Sequence, residues 1–141
     1  MAAVLVDSNI LLDLFDVDSV WFAWSAVALQ GAAETSRLVI NPVIYAEIST
    51  GYDRIETVDA LLPSFLHREP ISYEAAFLAA KAYRDYRRRG GQRRSPLPDF
   101  FIGAHAAVAG YHLLTRDAAR YRTYFPGLNL IAPESSEPLP P

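Results

Sequence analysis

Short apolar runs separated by helical patterns constrain this chain more than any other feature. Ala2 to Val6 is apolar without alternation and ends at Asp7, which suits a strand buried on both faces. Ser8 to Phe15 then reads as a short helix with Ile10, Leu11, Leu14 and Phe15 on its apolar stripe. Val20 to Glu34 reads as a second helix, closed near Gly31. Leu38-Val39-Ile40 is the next strand. Asn41-Pro42 breaks it and opens a helix from about Val43, because proline is tolerated in a first helical turn. Ile55 to Leu62 is helical up to Pro63, and a weak strand is expected near Pro70 to Ser72. Tyr73 to Arg89 has the longest helical spacing and ends at Gly90-Gly91. Pro98 opens a helix over Asp99 to Ala109 that stops at Gly110. His112 to Thr115 is a strand, Ala118 to Tyr124 a short helix, and Leu128 to Ile131 a last strand.

This order predicts an α/β fold: a central, mostly parallel sheet of four to five short strands flanked by helices. A chain of 141 residues, 51% of them hydrophobic, is expected to form one domain over residues 1–133. Residues 134–141 are polar and proline-rich and read as a flexible tail. With no cysteine, disulfides, thiolate metal sites and cysteine nucleophiles are excluded. The N-terminus has no basic region before its apolar run and does not read as a signal peptide. The stretch Val20 to Ala33 is too short and too interrupted to span a bilayer. A cytoplasmic protein is therefore expected.

In parallel sheets, sites form outside the carboxyl ends of the strands. Asp7 ends the first strand, and Asp117 follows the strand that runs through Thr115. Asp99 opens the helix leading into that strand, and Glu47 lies about one turn into the helix after the second strand. Four carboxylates from four distant segments would thus meet at one sheet edge. Each also has a plainer reading: Asp7 and Asp117 as helix caps, Asp99 as a favourable charge at a helix start, Glu47 as a solvated side chain. Gathered together, they raise one another's pKa unless cations offset them. Hard divalent ions take oxygen ligands and suit such a cluster. Two of them about 4 Å apart can activate a water and stabilise a leaving phosphodiester oxygen.

Val4-Leu5-Val6-Asp7-Ser8-Asn9-Ile10-Leu11 resembles the opening strand and first acid of PIN domains. Asn41-Pro42-Val43-Ile44-Tyr45-Ala46-Glu47 is similar to the segment that carries that family's glutamate. Pro98 to Ala106 resembles the third acid with its alanine-rich helix, and Leu113-Leu114-Thr115-Arg116-Asp117 the fourth acid with its threonine. Tyr124-Phe125-Pro126-Gly127-Leu128 and the final strand fit as well, so the resemblance runs from about residue 3 to 133. It implies a metal-dependent endoribonuclease using one or two Mg2+ or Mn2+ ions, with Asp7, Glu47, Asp99 and Asp117 as ligands and catalytic acids. Thr115 and Ser8 would supply supporting hydroxyls. Similarity to VapC-type toxins further implies a cognate antitoxin protein that blocks the active groove, and a homodimer. Some relatives carry a fifth acid near the fourth, where this chain has Ala118 and Ala119.

The net charge of −3 gives no general attraction to RNA, so any such site must be local. Arg84 to Arg94 holds six of the 13 basic residues. Arg88, Arg89, Arg93 and Arg94 flank two glycines just before Asp99 and are expected to contact phosphate. Arg84 and Arg87 suit a solvated helix end equally well. His67, His105 and His112 read as structural or surface residues, and Asp13 and Asp16 as surface positions on the first helix, from which Asp13 could approach the site. Trp21, Phe22 and Trp24 read first as core. The alternative function is a non-catalytic PIN-like or receiver-like binding domain with an acidic pocket. A receiver would need a lysine at a late strand end, but the single lysine, Lys81, lies inside the long helix. An aspartyl phosphohydrolase would want a second acid where Asn9 stands, and a Rossmann module lacks its glycine loop.

Overall fold

The computed structural model describes residues 2–90 and 97–134. The chain runs β1 (Ala3–Val6), α1 (Ser8–Leu14), α2 (Phe22–Thr35), β2 (Arg37–Ile40), α3 (Pro42–Ser49), α4 (Ile55–Leu61) and β3 (Leu66–Arg68). It continues through α5 (Tyr73–Arg88), α6 (Leu97–Ala109), β4 (His112–Leu114), α7 (Ala119–Arg122) and β5 (Leu130–Ile131). Five parallel strands form one sheet in the order β3-β2-β1-β4-β5. The central strand β1 pairs Leu5 with Val39 on one side and with Leu113 on the other. Every residue of β1 is buried, which is why it carries no alternation. From β1 the chain proceeds outward to β2 and β3, then returns to β4 on the other side. The topological switch therefore falls between β1 and β4, the place where sheets of this kind form sites at their carboxyl edge.

One strand lies elsewhere than expected. β3 is Leu66–Arg68, paired with β2 as Leu38 to Leu66 and Ile40 to Arg68, and not the segment Pro70 to Ser72. Pro70 has no amide hydrogen to give to a ladder, and pairing has already ended at Glu69, whose N–H bonds the Ile40 carbonyl at 2.9 Å. The tail beyond Glu134 lies outside the described residues, as do Arg93 and Arg94.

Helix ends follow their sequence signals. Asn41 accepts from the Ile44 amide to cap α3, with Pro42 inside the first turn. Gly110 ends α6 in the left-handed region at φ +73°. Gly103 has a different role: a Cβ there would stand 2.5 Å from Cε2 of the buried Phe125 ring. The glycine thus lets the segment after α7 lie directly against α6 and fixes the distance between the two elements that carry Asp99 and Tyr121. Tyr83 and Tyr86 of α5 pack on Phe100 of α6, completing that side of the core. Among the described residues no helix is long and apolar enough to cross a membrane.

Candidate active site

The end of β1 places Asp7 at the switch point of the sheet. Its carboxylate is buried, 4% exposed, and caps α1 by accepting from the Ser8 amide at 2.8 Å. Thr115 Oγ1 and Tyr121 Oη each donate to Asp7 Oδ2 at 2.8 Å. The capping reading and the site reading of Asp7 are therefore compatible, since Oδ1 caps α1 while Oδ2 is held by the Thr115 and Tyr121 hydroxyls, beside the other acids. Ser8 Oγ donates to Glu47 Oε1 at 2.9 Å, which ties the acid on α3 to the β1 end. Thr115 also accepts from the Asp117 amide at 3.0 Å and from Asn9 Nδ2 at 3.3 Å, and Asn9 Oδ1 accepts from the Arg116 amide. One hydroxyl thus sets the turn that carries the fourth acid.

Asp99 enters from the first turn of α6. Among the described residues its Oδ2 is buried without a hydrogen-bond partner, and the cation paired with it, Arg120 Nη1, is 3.6 Å away. Arg120 Nε meanwhile grips Asp117 Oδ2 at 2.6 Å. Burial pushes Asp99 up to about 6; Arg120 opposes the shift, and Asp7, Glu47 and Asp117 add to it. Burial likewise raises Asp7, against the hydrogen bonds from Tyr121, Thr115 and the Ser8 amide. Glu47 is raised first by burial, with the Ser8 bond lowering it and Asp7 raising it further. The four acids therefore share one electrostatic environment. Arg120 is also a cation common to all of these fields, although burial works against its own charge.

Among the described residues, no group of three or more Asp, Glu or His side chains is set to hold an ion as it stands. The donor chemistry nevertheless fits a hard divalent cation: the oxygens are carboxylates, and one of them is buried with no donor to satisfy it.

Several residues around the site were not singled out from sequence. Tyr121 is fully buried on the inner face of α7, four positions after Asp117, and Arg120 is three positions after it. Helical spacing from Asp117 is the signal that points to both. Asp13, expected at the surface, is 4% exposed. Its carboxylate takes Arg116 Nε at 2.7 Å and Nη2 at 3.1 Å, with Ser25 and Ser19 hydroxyls completing the shell. That pair holds Asp13 buried, with its carboxylate engaged by Arg116 and the two serines. Trp21 is buried beneath the Arg116 guanidinium and edge-on to Trp24. His105 is buried and bonded to Asn41 at 2.9 Å, whereas His67 and His112 are exposed. Arg88 and Arg89 end α5 in exposed positions, and Arg89 lies over the Tyr124 ring at 5.7 Å, just beyond α7.

Comparison with known proteins agrees with this architecture. The chain is similar in fold to VapBC2 from Rickettsia felis bound to a DNA fragment from their promoter, at 18% identity and TM-score 0.72, covering 92% of this chain and 98% of that one. It is similar to VapBC-1 from nontypeable Haemophilus influenzae at 17% identity and TM-score 0.71, covering 92% and 97%. Mycobacterium tuberculosis VapC20, a Sarcin-Ricin loop cleaving toxin, aligns at 14% identity and TM-score 0.55, covering 77% and 85%. No curated protein matches the chain. Residues 4–126 match the PIN domain, and with that match over most of its length the chain belongs to the PIN-domain family.

Proposed function

We propose that this protein is a divalent-metal-dependent endoribonuclease and the toxin half of a VapBC-type toxin–antitoxin pair, acting in the cytoplasm. The observation that carries the reading is the buried, donorless Asp99 Oδ2 among coupled acids at the switch point of the sheet. Asp7, Glu47, Asp99 and Asp117 would hold one or two Mg2+ or Mn2+ ions. Such an ion supplies charge stabilisation at a phosphodiester and lowers the pKa of a water. Thr115 and Tyr121 fix the orientation of Asp7, and Ser8 holds Glu47 toward it. Two backbone-anchored turns thus present their carboxylates without needing to reorganise at each turnover. Arg88 and Arg89, with Arg93 and Arg94, would hold the RNA backbone beside the site without reading its sequence. Fold similarity to toxin–antitoxin complexes supports an antitoxin partner, and similarity to a toxin that cleaves an RNA loop supports RNA as substrate; a homodimer is what the resemblance to VapC-type toxins implies.

The test is incubation of the purified protein with a panel of structured RNAs in Mg2+ or Mn2+, with and without chelator. Discrete cleavage that chelator stops and added metal restores is the expected result. Cleavage indifferent to chelator overturns the metal dependence; intact RNA throughout the panel favours the binding-only alternative.

A further inference from the structure

Arg120 occupies a place that catalysis by carboxylates and metal does not require. It is the cation paired with both Asp99 and Asp117, and its field reaches Asp7 and Glu47. The two contacts are unequal. Nε to Asp117 Oδ2, at 2.6 Å, is a close ion pair, whereas Nη1 to Asp99 Oδ2, at 3.6 Å, is a looser one and too long to be a hydrogen bond. Asp99 Oδ2 stays unsatisfied although a guanidinium faces it. An arginine that were a permanent structural partner would be expected to close that gap, since an unmet buried oxygen is costly.

The surroundings leave the side chain able to leave. The adjacent Tyr121 is fully buried and bonded to Asp7, so the backbone of α7 is anchored. The Arg120 side chain itself is 50% exposed and, among the described residues, its guanidinium stacks on no aromatic ring. The helix can remain in place while the guanidinium swings outward. One guanidinium also offsets only a single carboxylate charge, and a divalent ion offsets more.

We infer that Arg120 is a resident counter-cation of the acid site, which surrenders Asp99 and Asp117 when a divalent ion binds and so sets the metal concentration at which the site loads. This rests on the metal-dependent reading above. Without metal, Arg120 limits repulsion among the acids and keeps them gathered. With metal, the ion must first displace it, so the apparent affinity is weakened by the competition.

Manganese alone is the probe. Free Mn2+ is measured by electron paramagnetic resonance during titration of the wild type, Arg120→Gln and Arg120→Lys, with no RNA present. Arg120→Gln should bind Mn2+ about tenfold more tightly or better, the scale on which one neighbouring charge shifts a carboxylate equilibrium. Arg120→Lys keeps the charge but not the fork, and should fall between the two. Equal or weaker binding by Arg120→Gln would make Arg120 an organiser of the site or a bystander, and would overturn the inference while leaving the metal site intact. If neither the wild type nor Arg120→Gln binds Mn2+, the metal reading fails and the inference falls with it. A second measurement needs no variant: the Arg120 Nε–H resonance should shift at saturating Mg2+ as the ion pair with Asp117 is given up. An unchanged resonance there contradicts the exchange.

Discussion

Asp99→Asn is expected to abolish RNA cleavage and, at the same time, to make the metal-free protein more stable. The loss follows from removing a charged oxygen ligand: metal stabilisation of a transition state is worth several kcal/mol, so the rate should fall about 10²-fold or more. The gain follows from burial. Asp99 is 5% exposed with Oδ2 unpaired, and its pKa is pushed up to about 6. Because the folded value exceeds the unfolded one, the fold favours the protonated form. That contribution is fully present below the unfolded pKa near 4 and is lost as pH rises through 6. At pH 7 the wild type bears the cost of a buried carboxylate, and a neutral amide removes about 2 kcal/mol of it. Denaturant melts at pH 7 and pH 4, alongside single-turnover cleavage, check both halves: the stability difference should shrink at the lower pH. An active Asp99→Asn variant would remove Asp99 from the chemistry, and one less stable than wild type at pH 7 would contradict the electrostatic account.

Arg116→Ala should cost about 3 kcal/mol, the scale for stranding one member of a buried ion pair. The Asp13 side chain is 5% exposed, and Arg116 supplies both its short charged contacts. Without the guanidinium, only the Ser19 and Ser25 hydroxyls remain on that carboxylate, and Trp21 loses the cation that covers it. Adding Asp13→Asn in the Arg116→Ala background should recover part of the loss, because the unpaired charge is then gone. Urea midpoints of the two variants measure this. A midpoint for Arg116→Ala indistinguishable from wild type would mean that Asp13 is solvated in solution.

The parts of this molecule that were legible in sequence are those governed by local rules. A fully apolar run before Asp7 indicated a central strand, and Asn41-Pro42 marked both the end of β2 and the cap of α3. The edge strand β3 was displaced by a few residues because three residues paired on one side only leave almost no periodic signal. Strand ends and the carboxyl-edge rule pointed to Asp7 and Asp117, while Glu47 and Asp99, both on helices, joined them through their place in the chain and the resemblance to PIN domains. The mutual arrangement of those acids was not legible: helical spacing from Asp117 points to Arg120 and Tyr121, but their contacts with Asp99 and Asp7 join segments far apart in the chain. Asp13 was misread for the same reason. On a short helix it looks solvated, and only a partner 103 positions away makes its burial tolerable. Long-range polar pairs are thus where a reading by periodicity and caps runs out.

Whether water attacks phosphorus at this acid cluster is read most directly from the ends of the cut RNA. Attack by water with departure of the 3′ oxygen leaves a 3′-hydroxyl and a 5′-phosphate, and it makes no use of the ribose 2′-hydroxyl as nucleophile. Mapping the termini of RNA cleaved in Mn2+, together with a substrate carrying a single 2′-deoxynucleotide at the cut site, is the decisive measurement. The four-acid site predicts 5′-phosphate and 3′-hydroxyl ends and continued cleavage of the deoxy-substituted substrate. Cyclic 2′,3′-phosphate ends, with the deoxy substrate left intact, would contradict it.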